Sequence, residues 1–491
     1  MSRRMEGGRR QPAGESFPKD EPIEIIIPGE GCRLDAAVIK ELEAALGPSR
    51  VLTSPQALLC YAVDATFHTG RPEAVILPES TAEVSAVMRI AARHGVPVTP
   101  RGAGTGLSGG SLPKGGIVLS MTRMNRIKEI DRKNLLAVVE PGVITAHLQQ
   151  AAEAQGLFYP PDPGSSKVST IGGNIAENAG GPRCFKYGVT RDYVLGLEVV
   201  LADGRILRTG GRTVKNVSGY DLTRLIVGSE GTLGIVTEAT LRLIPKPETS
   251  QTVMAVYPRL EDAAETNAEI VARGVTPATL EIMDQMCLRV VENYLHIGLP
   301  VEAEAVLIIG VDGYREAVAR QADVVAQICR EKGASEVRVA RTPEESEEVW
   351  RARRSISTAI TQEKPTKIGE DVAVPPSRIP EMIRRLQYLR EKTGLTMAIF
   401  GHVGDGNLHP NVVTDLRDQV EMAKVEEVLD EIARIALELG GTLTGEHGIG
   451  TLKAPYLEME VGETGIDVMR RIKRALDPQG ILNPGKMRLD D

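Results

Sequence analysis

The stretch PRGAGTGLSGG at residues 100–110 decides the fold. Five glycines and Ala103 make six of its eleven residues small, and it directly follows the apolar run at 96–98, which predicts a strand. Such a loop can bring successive backbone N–H groups close to a diphosphate, because no large side chains intervene. The spacing is neither the GxGxxG that opens a helix nor a P-loop, since no Gly-Lys-Ser/Thr follows. A flexible surface loop is the alternative interpretation, and a binding loop is the favoured one.

Two further glycine-rich stretches follow in the same half of the chain. Residues 160–181 contain PPDPGSS, TIGGN and NAGG, and residues 228–236 read GSEGTLGIV. Turns would explain any one of these stretches. Three of them in one domain indicate a long, extended ligand, larger than a mononucleotide.

Apolar runs alternate with helical patterns up to Pro245-Lys246-Pro247, which predicts a domain boundary. In this half we expect helices at 35–47, 81–94 and 142–154, a hairpin at 196–208 with an Asp-Gly turn, and strands at 74–77, 96–98, 115–119, 137–140, 225–227 and 234–243.

The second half is predicted to be an α+β domain in which helices cover an antiparallel sheet. The expected strands lie at 253–256 and 305–311, and the expected helices at 260–273, 284–294, 314–332, 419–439 and 466–476. The predicted divisions are a flexible tail at 1–34, a ligand-binding domain at 35–247, a second domain at 248–465, and a C-terminal helix and tail at 466–491 that return to the first domain.

Three of the seven histidines fall in two short motifs, GHVGDGNLHPN at 401–411 and TGEHG at 444–448. If the Asp-Gly pair at 405–406 forms a two-residue hairpin turn, His402 faces His409, and Asn411 points to the same side. Glu446 would complete a His–His–Glu set with open positions, which suits Zn²⁺ or Mn²⁺, and leaves His447 free to act as a base. The alternative is a pair of structural histidines and a surface Glu-His; the combined pattern favours the metal site.

Charge and cysteine content exclude several classes of protein. The net charge of −8 argues against nucleic acid as the main partner. The five cysteines are widely spaced without a CxxC pair, which argues against a cysteine zinc site or a four-cysteine iron–sulfur cluster and favours a cytoplasmic setting. The first twenty residues carry four arginines but neither an apolar core nor an acid-poor amphipathic helix, so we expect a disordered tail rather than a targeting segment.

The glycine-rich stretches and the two histidine motifs together resemble the FAD-linked D-2-hydroxy-acid dehydrogenases. This family, which includes bacterial glycolate oxidase catalytic subunits and D-lactate and D-2-hydroxyglutarate dehydrogenases, belongs to the vanillyl-alcohol oxidase / p-cresol methylhydroxylase superfamily. The resemblance covers residues 38–488. It implies an α+β protein with a two-part FAD-binding domain at 35–247 and a substrate (cap) domain at 248–465 that contains the metal site.

The resemblance also implies roles for individual residues. The first stretch would wrap the FAD diphosphate, and later positions would line the rest of the cofactor. The implied FAD-binding residues are Pro100, Arg101, Gly102, Ala103, Gly104, Thr105, Gly106, Ser108, Gly109, Pro161, Asp162, Ser165, Thr170, Gly173, Asn174, Gly180, Glu230, Gly234, Ile235 and Asn483. Because no histidine lies between residues 95 and 146, a non-covalent FAD is implied.

For the substrate, the resemblance implies that His402, His409 and Glu446 bind the metal and that His447 accepts the proton. Asn411 would contact the substrate. Arg353, within WRARRSIS at 350–357, would bind the substrate carboxylate, because a planar bidentate donor suits that group. Lys367 is a further candidate, although its spacing from the Asp that follows it is not the usual one.

The expected reaction is FAD-dependent oxidation of glycolate or D-lactate to the 2-oxo acid, with D-2-hydroxyglutarate as the alternative substrate. The electrons would leave to an iron–sulfur subunit and a second flavin subunit, to a quinone or to an electron-transfer flavoprotein. The protein would then be cytoplasmic and peripheral to the inner face of the membrane through that complex. The competing hypotheses are a zinc hydrolase, a non-catalytic flavin subunit of an oxidoreductase complex, and the non-redox alkyl-ether lipid synthase of the same superfamily.

Overall fold

The structure, a computed structural model, describes residues 34–490. Residues 1–33, which are the predicted tail without Leu34 and include Cys32, lie outside the described residues. The strands up to residue 247 are β1 (Val51–Leu52), β2 (Ala74–Ile76), β3 (Val98–Arg101), β4 (Ile117–Ser120), β5 (Ile127–Asp131), β6 (Leu136–Val139), β7 (Leu157–Phe158), β8 (Val194–Val200), β9 (Ile206–Gly210), β10 (Ile235–Arg242) and β11 (Ile244–Pro245). The helices of this half are α1 (Ala36–Leu46), α2 (Pro55–Tyr61), α3 (Thr81–His94), α4 (Thr145–Glu153), α5 (Ile171–Glu177), α6 (Cys184–Tyr187) and α7 (Leu222–Ile226).

These strands form two main sheets, with β7 and β11 as a separate pair. The four-stranded sheet has the order β1-β2-β4-β3, in which β2, β4 and β3 are parallel. The five-stranded sheet has the order β5-β6-β10-β8-β9 and is antiparallel. Helix α3 connects β2 to β3; Ser80 caps its first turn, and Gly95 ends it in the left-handed conformation (φ 64°). The glycine-rich stretch therefore begins at the end of β3, a parallel strand that a packed crossover helix holds in place.

The second half contains one antiparallel sheet whose strands differ in length. Its strands are β12 (Thr249–Tyr257), β13 (Thr279–Asp284), β14 (Ala305–Gly313), β15 (Glu336–Val339), β16 (Thr366–Gly369), β17 (Val372–Ala373), β18 (Thr396–His402) and β19 (Asn407–Thr414). Its helices are α8 (Leu260–Ala272), α9 (Gln285–Leu295), α10 (Arg315–Glu331), α11 (Pro343–Ala359), α12 (Ile379–Thr393), α13 (Gln419–Glu438) and α14 (Leu457–Leu476). The sheet order is β15-β12-β14-β13-β18-β19-β16, and β17 also pairs with β19.

Helices cover both faces of this sheet. On one face, α8, α10, α12 and α13 pack against Leu280, Ile282 and other strand residues. On the other, α9 and α11 pack against Met283, Ala398 and Phe400. Successive strand residues alternate between the two faces, so β19 is buried over its whole length.

The C-terminal segment packs against the first half. The Val98 N–H donates to Ile481 O at 2.7 Å, and the Asn483 N–H donates to Val98 O at 2.8 Å. The buried ammonium of Lys473 donates to Thr232 O (2.9 Å) and Leu482 O (2.7 Å). Residues 481–483 therefore run beside β3, the strand that leads into the glycine-rich stretch.

Most predicted elements are confirmed to within a few residues, two are wrong, and several observed elements were not predicted, among them α5, α12 and β13. Residues 225–227 were expected as a strand, but they belong to or directly follow α7, whose first turn Asp221 caps. β13 was not expected, because Glu281 interrupts its apolar pattern; the order is strand–helix–strand–helix–strand. α14 begins nine residues before the predicted helix at 466–476 and continues through a kink at Gly462 (φ 71°), so residues 465 and 466 lie inside it. In the described part of the chain, no helix has the length and apolar composition needed to span a bilayer.

Candidate active site

His402 and His409 lie on the two strands of one hairpin, but in a register that differs from the predicted one. β18 and β19 pair Phe400 with His409 and His402 with Asn407, so the connecting loop has four residues instead of two. The expectation that His402 directly faces His409 was therefore wrong. The difference is two residues, and side chains alternate along a strand, so both imidazoles still lie on one face. Their ring centroids are 5.0 Å apart at an interplanar angle of 84°.

Asn411 shares the face of His409. It pairs with Ala398 in the hairpin, and its Nδ2 donates to His409 O at 2.9 Å. The amide oxygen lies close to β16, since a Cβ on Gly369 would stand 2.6 Å from it. Asn411 is thus held within the histidine cluster.

Glu446 and His447 come from a loop that one buried carboxylate, Asp371, organises. Its Oδ2 accepts the backbone N–H groups of residues 445, 446 and 447, each at 2.9 Å, and the Thr444 hydroxyl at 2.7 Å. Its Oδ1 accepts from Asn407 Nδ2 at 2.6 Å. Burial alone would raise the pKa of Asp371, but His447, Lys453, His409 and the backbone donors hold it well below its usual range. Asp371 is therefore ionised, and it fixes the Glu446–His447 loop to the hairpin.

The donor atoms of His402, His409 and Glu446 converge on one point. Glu446 Oε1 lies 3.3 Å from His402 Nε2 and 3.4 Å from His409 Nε2. A tetrahedral zinc site with bonds of about 2.0–2.1 Å requires ligand atoms about 3.3–3.4 Å apart. All three ligand atoms lie within 4.8 Å of one another. The two separations to Glu446 therefore match those of a tetrahedral ion site.

The electrostatics of the two histidines differ. Burial disfavours the charged form of His402, but the neighbouring Glu281 and Glu446 outweigh it and raise its pKa well above the usual value. For His409, burial and the nearby His402 lower the pKa well below the usual value. His409 Nδ1 is buried without a hydrogen-bond partner and lies 3.5 Å from Asp371 Oδ1. The unpartnered nitrogen faces Asp371, whereas His409 Nε2 is the atom that faces Glu446.

His447 lies beside this donor set and remains accessible from it. Its ring stacks on that of His409, with centroids 5.3 Å apart at 13°. Its Nε2 lies 3.9 Å from Glu446 Oε1, and its Nδ1 lies 4.0 Å from Asp371 Oδ2. The side chain is 20% exposed, against 7–8% for the two hairpin histidines. His447 is thus the imidazole that a small molecule can reach.

Arg353 is the guanidinium of the run at 350–357 that enters the site. Its Nε donates to Glu281 Oε2 at 2.8 Å, and its Nη2 forms an ion pair with the same oxygen at 2.7 Å. The guanidinium carbon lies 4.7 Å above the centre of the Phe400 ring. Glu281 also binds His402 Nδ1 at 2.5 Å through its other oxygen. Sequence reasoning missed Glu281, although a single acid inside the apolar run TLEIM is a signal that could have identified it.

A large cavity opens from this cluster toward the glycine-rich stretches, with a volume of about 2380 Å³. His402, His409, Asn411, Glu446, His447, Arg353 and Lys367 line one part of it. Sixteen of the residues predicted to bind FAD line another part: Pro100, Arg101, Gly102, Ala103, Gly104, Thr105, Gly106, Asp162, Ser165, Thr170, Gly173, Asn174, Gly180, Glu230, Gly234 and Ile235.

Four predicted FAD-binding residues, Ser108, Gly109, Pro161 and Asn483, lie behind the cavity wall. The Asn483 amide donates to Gly110 O and Glu230 O at 2.9 and 2.6 Å. Ser108 O accepts two backbone N–H groups from the segment that follows His447. These residues support the lining rather than form it.

The carboxylate of Glu230 is hydrogen-bonded to backbone N–H groups and does not face the cofactor region freely. It accepts the Ile449 and Gly450 N–H groups, each at 2.7 Å. Glu177, which the sequence did not single out, packs against the same place: Cβ atoms on Gly110 and Gly448 would each lie within 3 Å of one of its oxygens. Burial and the neighbouring Glu230 raise the pKa of Glu177 well above its usual value.

The first glycine stretch approaches its neighbours too closely for side chains. Gly104 has φ 69°, and a Cβ there would lie 2.1 Å from the Arg101 guanidinium. A Cβ on Gly102 would lie 2.2 Å from Thr170 Oγ1. The stretch thus exposes backbone to the cavity, which is large enough for a dinucleotide and a small acid together. Fold and site together define a flavoprotein of the p-cresol methylhydroxylase architecture.

Comparison with solved structures supports this architecture. A crystal structure of p-cresol methylhydroxylase with substrate bound superimposes with a TM-score of 0.79, covering 92% of this chain and 96% of that one at 18% identity. At this identity, the likeness concerns the fold alone.

Comparison of sequences gives the family. The family model described as "FAD binding domain" matches residues 72–210, and "FAD linked oxidases, C-terminal domain" matches residues 246–487. Glycolate oxidase subunit GlcD of Bacillus subtilis is 52% identical over 452 residues, 92% of this chain and 96% of that protein. D-lactate dehydrogenase of Archaeoglobus fulgidus is 40% identical over 416 residues, 84% of this chain and 90% of that protein. The chain belongs to the FAD-linked oxidase family that includes these proteins, and it is an FAD-binding oxidoreductase.

Proposed function

We propose that the protein oxidises a small 2-hydroxy acid, glycolate or D-lactate, to the 2-oxo acid. One observation carries the proposal: His447 lies within reach of the converging atoms of His402, His409 and Glu446, at the end of the cavity whose other part the glycine stretches line. The names of the similar glycolate oxidase subunit and D-lactate dehydrogenase support the substrate class.

His402, His409 and Glu446 would hold Zn²⁺ or Mn²⁺. A divalent ion there would lower the pKa of a substrate hydroxyl and make it a better proton donor. The donor separations of 3.3 and 3.4 Å support this role. Two imidazoles and one carboxylate leave coordination positions open, as catalytic metal sites require.

His447 would take the hydroxyl proton of the substrate. A general base must approach the proton that it removes, and the partly exposed imidazole of His447 can do so. Arg353 would bind the substrate carboxylate through its Nη1–Nη2 edge, since Glu281 occupies the Nε–Nη2 edge. Asn411, on the same face, would contact the bound acid.

FAD, when bound along the glycine stretches, supplies the two-electron acceptor for the hydride that leaves substrate C2. The residues that line the cavity there would hold it without a covalent bond, because residues 95–146 contain no histidine. The protein's contribution is to place the hydride donor and acceptor in contact.

Reoxidation requires an acceptor outside this chain. Among the described residues, the free cysteines are Cys60, Cys184, Cys287 and Cys329, which are too widely spaced in the chain to form an iron–sulfur motif. The similar Bacillus subtilis protein is named a subunit. We therefore propose a complex with an iron–sulfur subunit and a second flavin subunit at the inner face of the membrane. A quinone or an electron-transfer flavoprotein is the alternative acceptor.

Lys367 favours D-2-hydroxyglutarate as a second candidate substrate. Its ammonium lines the same cavity, and its hydrogen-bond partner is the Ser357 hydroxyl at 3.4 Å rather than a carboxylate. Burial lowers the pKa of Lys367. A second substrate carboxylate would compensate this charge.

An anaerobic titration tests the proposal. Flavin absorbance is followed while glycolate, D-lactate, L-lactate or D-2-hydroxyglutarate is added to the FAD-loaded protein. Bleaching by one of the D-acids or glycolate is expected, and no bleaching by any of the four would overturn the function. A colourless purified protein that hydrolyses esters or amides would instead favour a zinc hydrolase.

A further inference from the structure

Glu281 is a fully buried acid that contacts His402 and Arg353, two residues that line the cavity. It lies on β13, directly opposite His402 in the pairing of β13 with β18. None of its surface is exposed to solvent. An ionised carboxylate in this position is stable only with partners for both oxygens.

One oxygen of Glu281 orients His402. Its Oε1 lies 2.5 Å from His402 Nδ1, so the Nδ1–H donates to the carboxylate. This contact would leave Nε2, which lies 3.3 Å from Glu446 Oε1, as the atom that binds the metal. A carboxylate behind an imidazole fixes the tautomer and ring orientation that metal binding needs, and it raises the basicity of the ligand nitrogen.

The other oxygen orients Arg353. Oε2 accepts a hydrogen bond from Nε at 2.8 Å and forms an ion pair with Nη2 at 2.7 Å. The Phe400 ring supports the guanidinium plane from one side. Two bonds and a ring contact fix all the rotational freedom of the guanidinium, and they turn its remaining Nη1–Nη2 edge away from Glu281.

We propose that Glu281 is a positioning residue that sets the metal ligand His402 and the carboxylate clamp Arg353 in one fixed geometry. The inference rests on the proposed function, in which the metal and the clamp hold opposite ends of the same 2-hydroxy acid. Such a substrate carries its carboxylate and its hydroxyl on adjacent carbons, so the distance between the two protein groups decides whether both contacts form. A single carboxylate that binds both groups sets this distance independently of the ligand.

Glu281→Gln tests the proposal, because an amide has the same shape but offers one acceptor atom instead of two. Either His402 or Arg353 must then face an N–H₂ group. We expect zinc affinity, measured on the FAD-loaded protein by competition with a chromophoric chelator, to fall about 10- to 100-fold. We also expect KM for glycolate to rise about 10-fold or more, while kcat falls less, because the base His447 is untouched.

Asp284→Asn is the matched control. Asp284 lies three residues further along the same strand, is equally buried, and also pairs with an arginine, Arg390, at 3.0 Å. Its other contact is the N-terminal cap of α9, so it has no part in the site. We expect this variant to lose thermal stability as Glu281→Gln does, with unchanged zinc affinity and KM.

Glu281→Asp provides a second variant should the Gln variant not fold. It keeps the charge but, being one methylene shorter, reaches only one partner at a time, so we expect weaker zinc binding than in the unaltered protein and stronger binding than in the Gln variant.

The proposal is overturned if both Glu281 variants bind zinc and glycolate as the unaltered protein does, or if Asp284→Asn weakens zinc binding equally. A different result would overturn the proposed function itself. In that case the unaltered protein binds no divalent ion, and no 2-hydroxy acid reduces its flavin.

Discussion

Replacing Asp371 with asparagine should release the loop that carries Glu446 and His447. Asp371 Oδ2 accepts four hydrogen bonds, three from backbone N–H groups and one from Thr444. A bond to a charged acceptor contributes about 1.5–3 kcal/mol and a neutral one about 0.5–1.5 kcal/mol. Loss of the charge therefore costs about 1 kcal/mol per bond, or about 4 kcal/mol for the loop. The amide N–H₂ would also face the Asn407 amide, which now donates to Oδ1 at 2.6 Å.

Hydrogen exchange measures this loss where it occurs. Since each 1.4 kcal/mol is a factor of about ten in an opening equilibrium, the amides of residues 445–447 should exchange about 10²–10³ times faster in Asp371→Asn than in the unaltered protein. Zinc affinity should fall as well, because Glu446 is then no longer held against the two hairpin histidines.

Asp477→Asn is the control for Asp371→Asn. Asp477 is a buried acid that accepts the N–H groups of Ile481 and Leu482 at 3.1 and 2.7 Å. Its replacement should accelerate exchange at 481–482 and leave residues 445–447 and zinc affinity unchanged. Unchanged exchange at 445–447 in Asp371→Asn would refute the assignment of loop anchoring to Asp371.

Three further predictions concern the cofactor, the metal and pH. Gly104→Ala should weaken FAD binding about 10-fold or more, as measured by flavin fluorescence, because the new Cβ would overlap Arg101, whereas Gly211→Ala meets nothing within 4 Å and should bind FAD normally. Chelation of the divalent ion, or His402→Ala, should abolish anaerobic bleaching by glycolate and leave FAD bound; bleaching at the normal rate would exclude a metal role. Burial raises the pKa of Asp162 to about 7, so the native state binds a proton that the unfolded state releases between about pH 4 and 7. Across that range, this group lowers the free energy of unfolding as pH rises, by at most about 1.4 kcal/mol per pH unit. The melting temperature of the FAD-free protein should therefore depend less on pH in Asp162→Asn, and identical pH profiles would contradict the shift.

The sequence identified the site because its chemistry is concentrated in short motifs. His402, His409 and Asn411 lie within ten residues, and strand alternation places them on one face in the predicted register and in the observed one alike. The predicted geometry was therefore right about the face and wrong about the pairing. The turn itself was misassigned because Gly406 (φ 92°) lies against the Val374 backbone, where an added Cβ would stand 1.9 Å from Val374 O, and local sequence does not specify this contact.

The residues that sequence reasoning missed act across long distances in the chain. Glu281 is 121 residues from His402, and Asp371 is 75 residues from Glu446. Glu281 lies within a short strand and Asp371 lies between two short strands, and only the order of strands in the sheet brings them to the histidines. Apolar periodicity predicts strands but not their neighbours, so these contacts follow from the topology alone.

The two buried carboxylates that hold residues 444–450 explain how the halves of the protein form one site. On the substrate side, Asp371 binds the N–H groups of residues 445–447. On the side of the glycine stretches, Glu230 binds those of Ile449 and Gly450. His447 lies between these two carboxylates. Asp371 fixes its position relative to the proposed metal ligands, and Glu230 fixes its position relative to the wall of the proposed FAD cavity. In the proposed function, an imidazole held from both sides would meet the substrate hydroxyl while C2 faces the cofactor, and this accounts for a Glu446–His447 motif that lies where the halves meet.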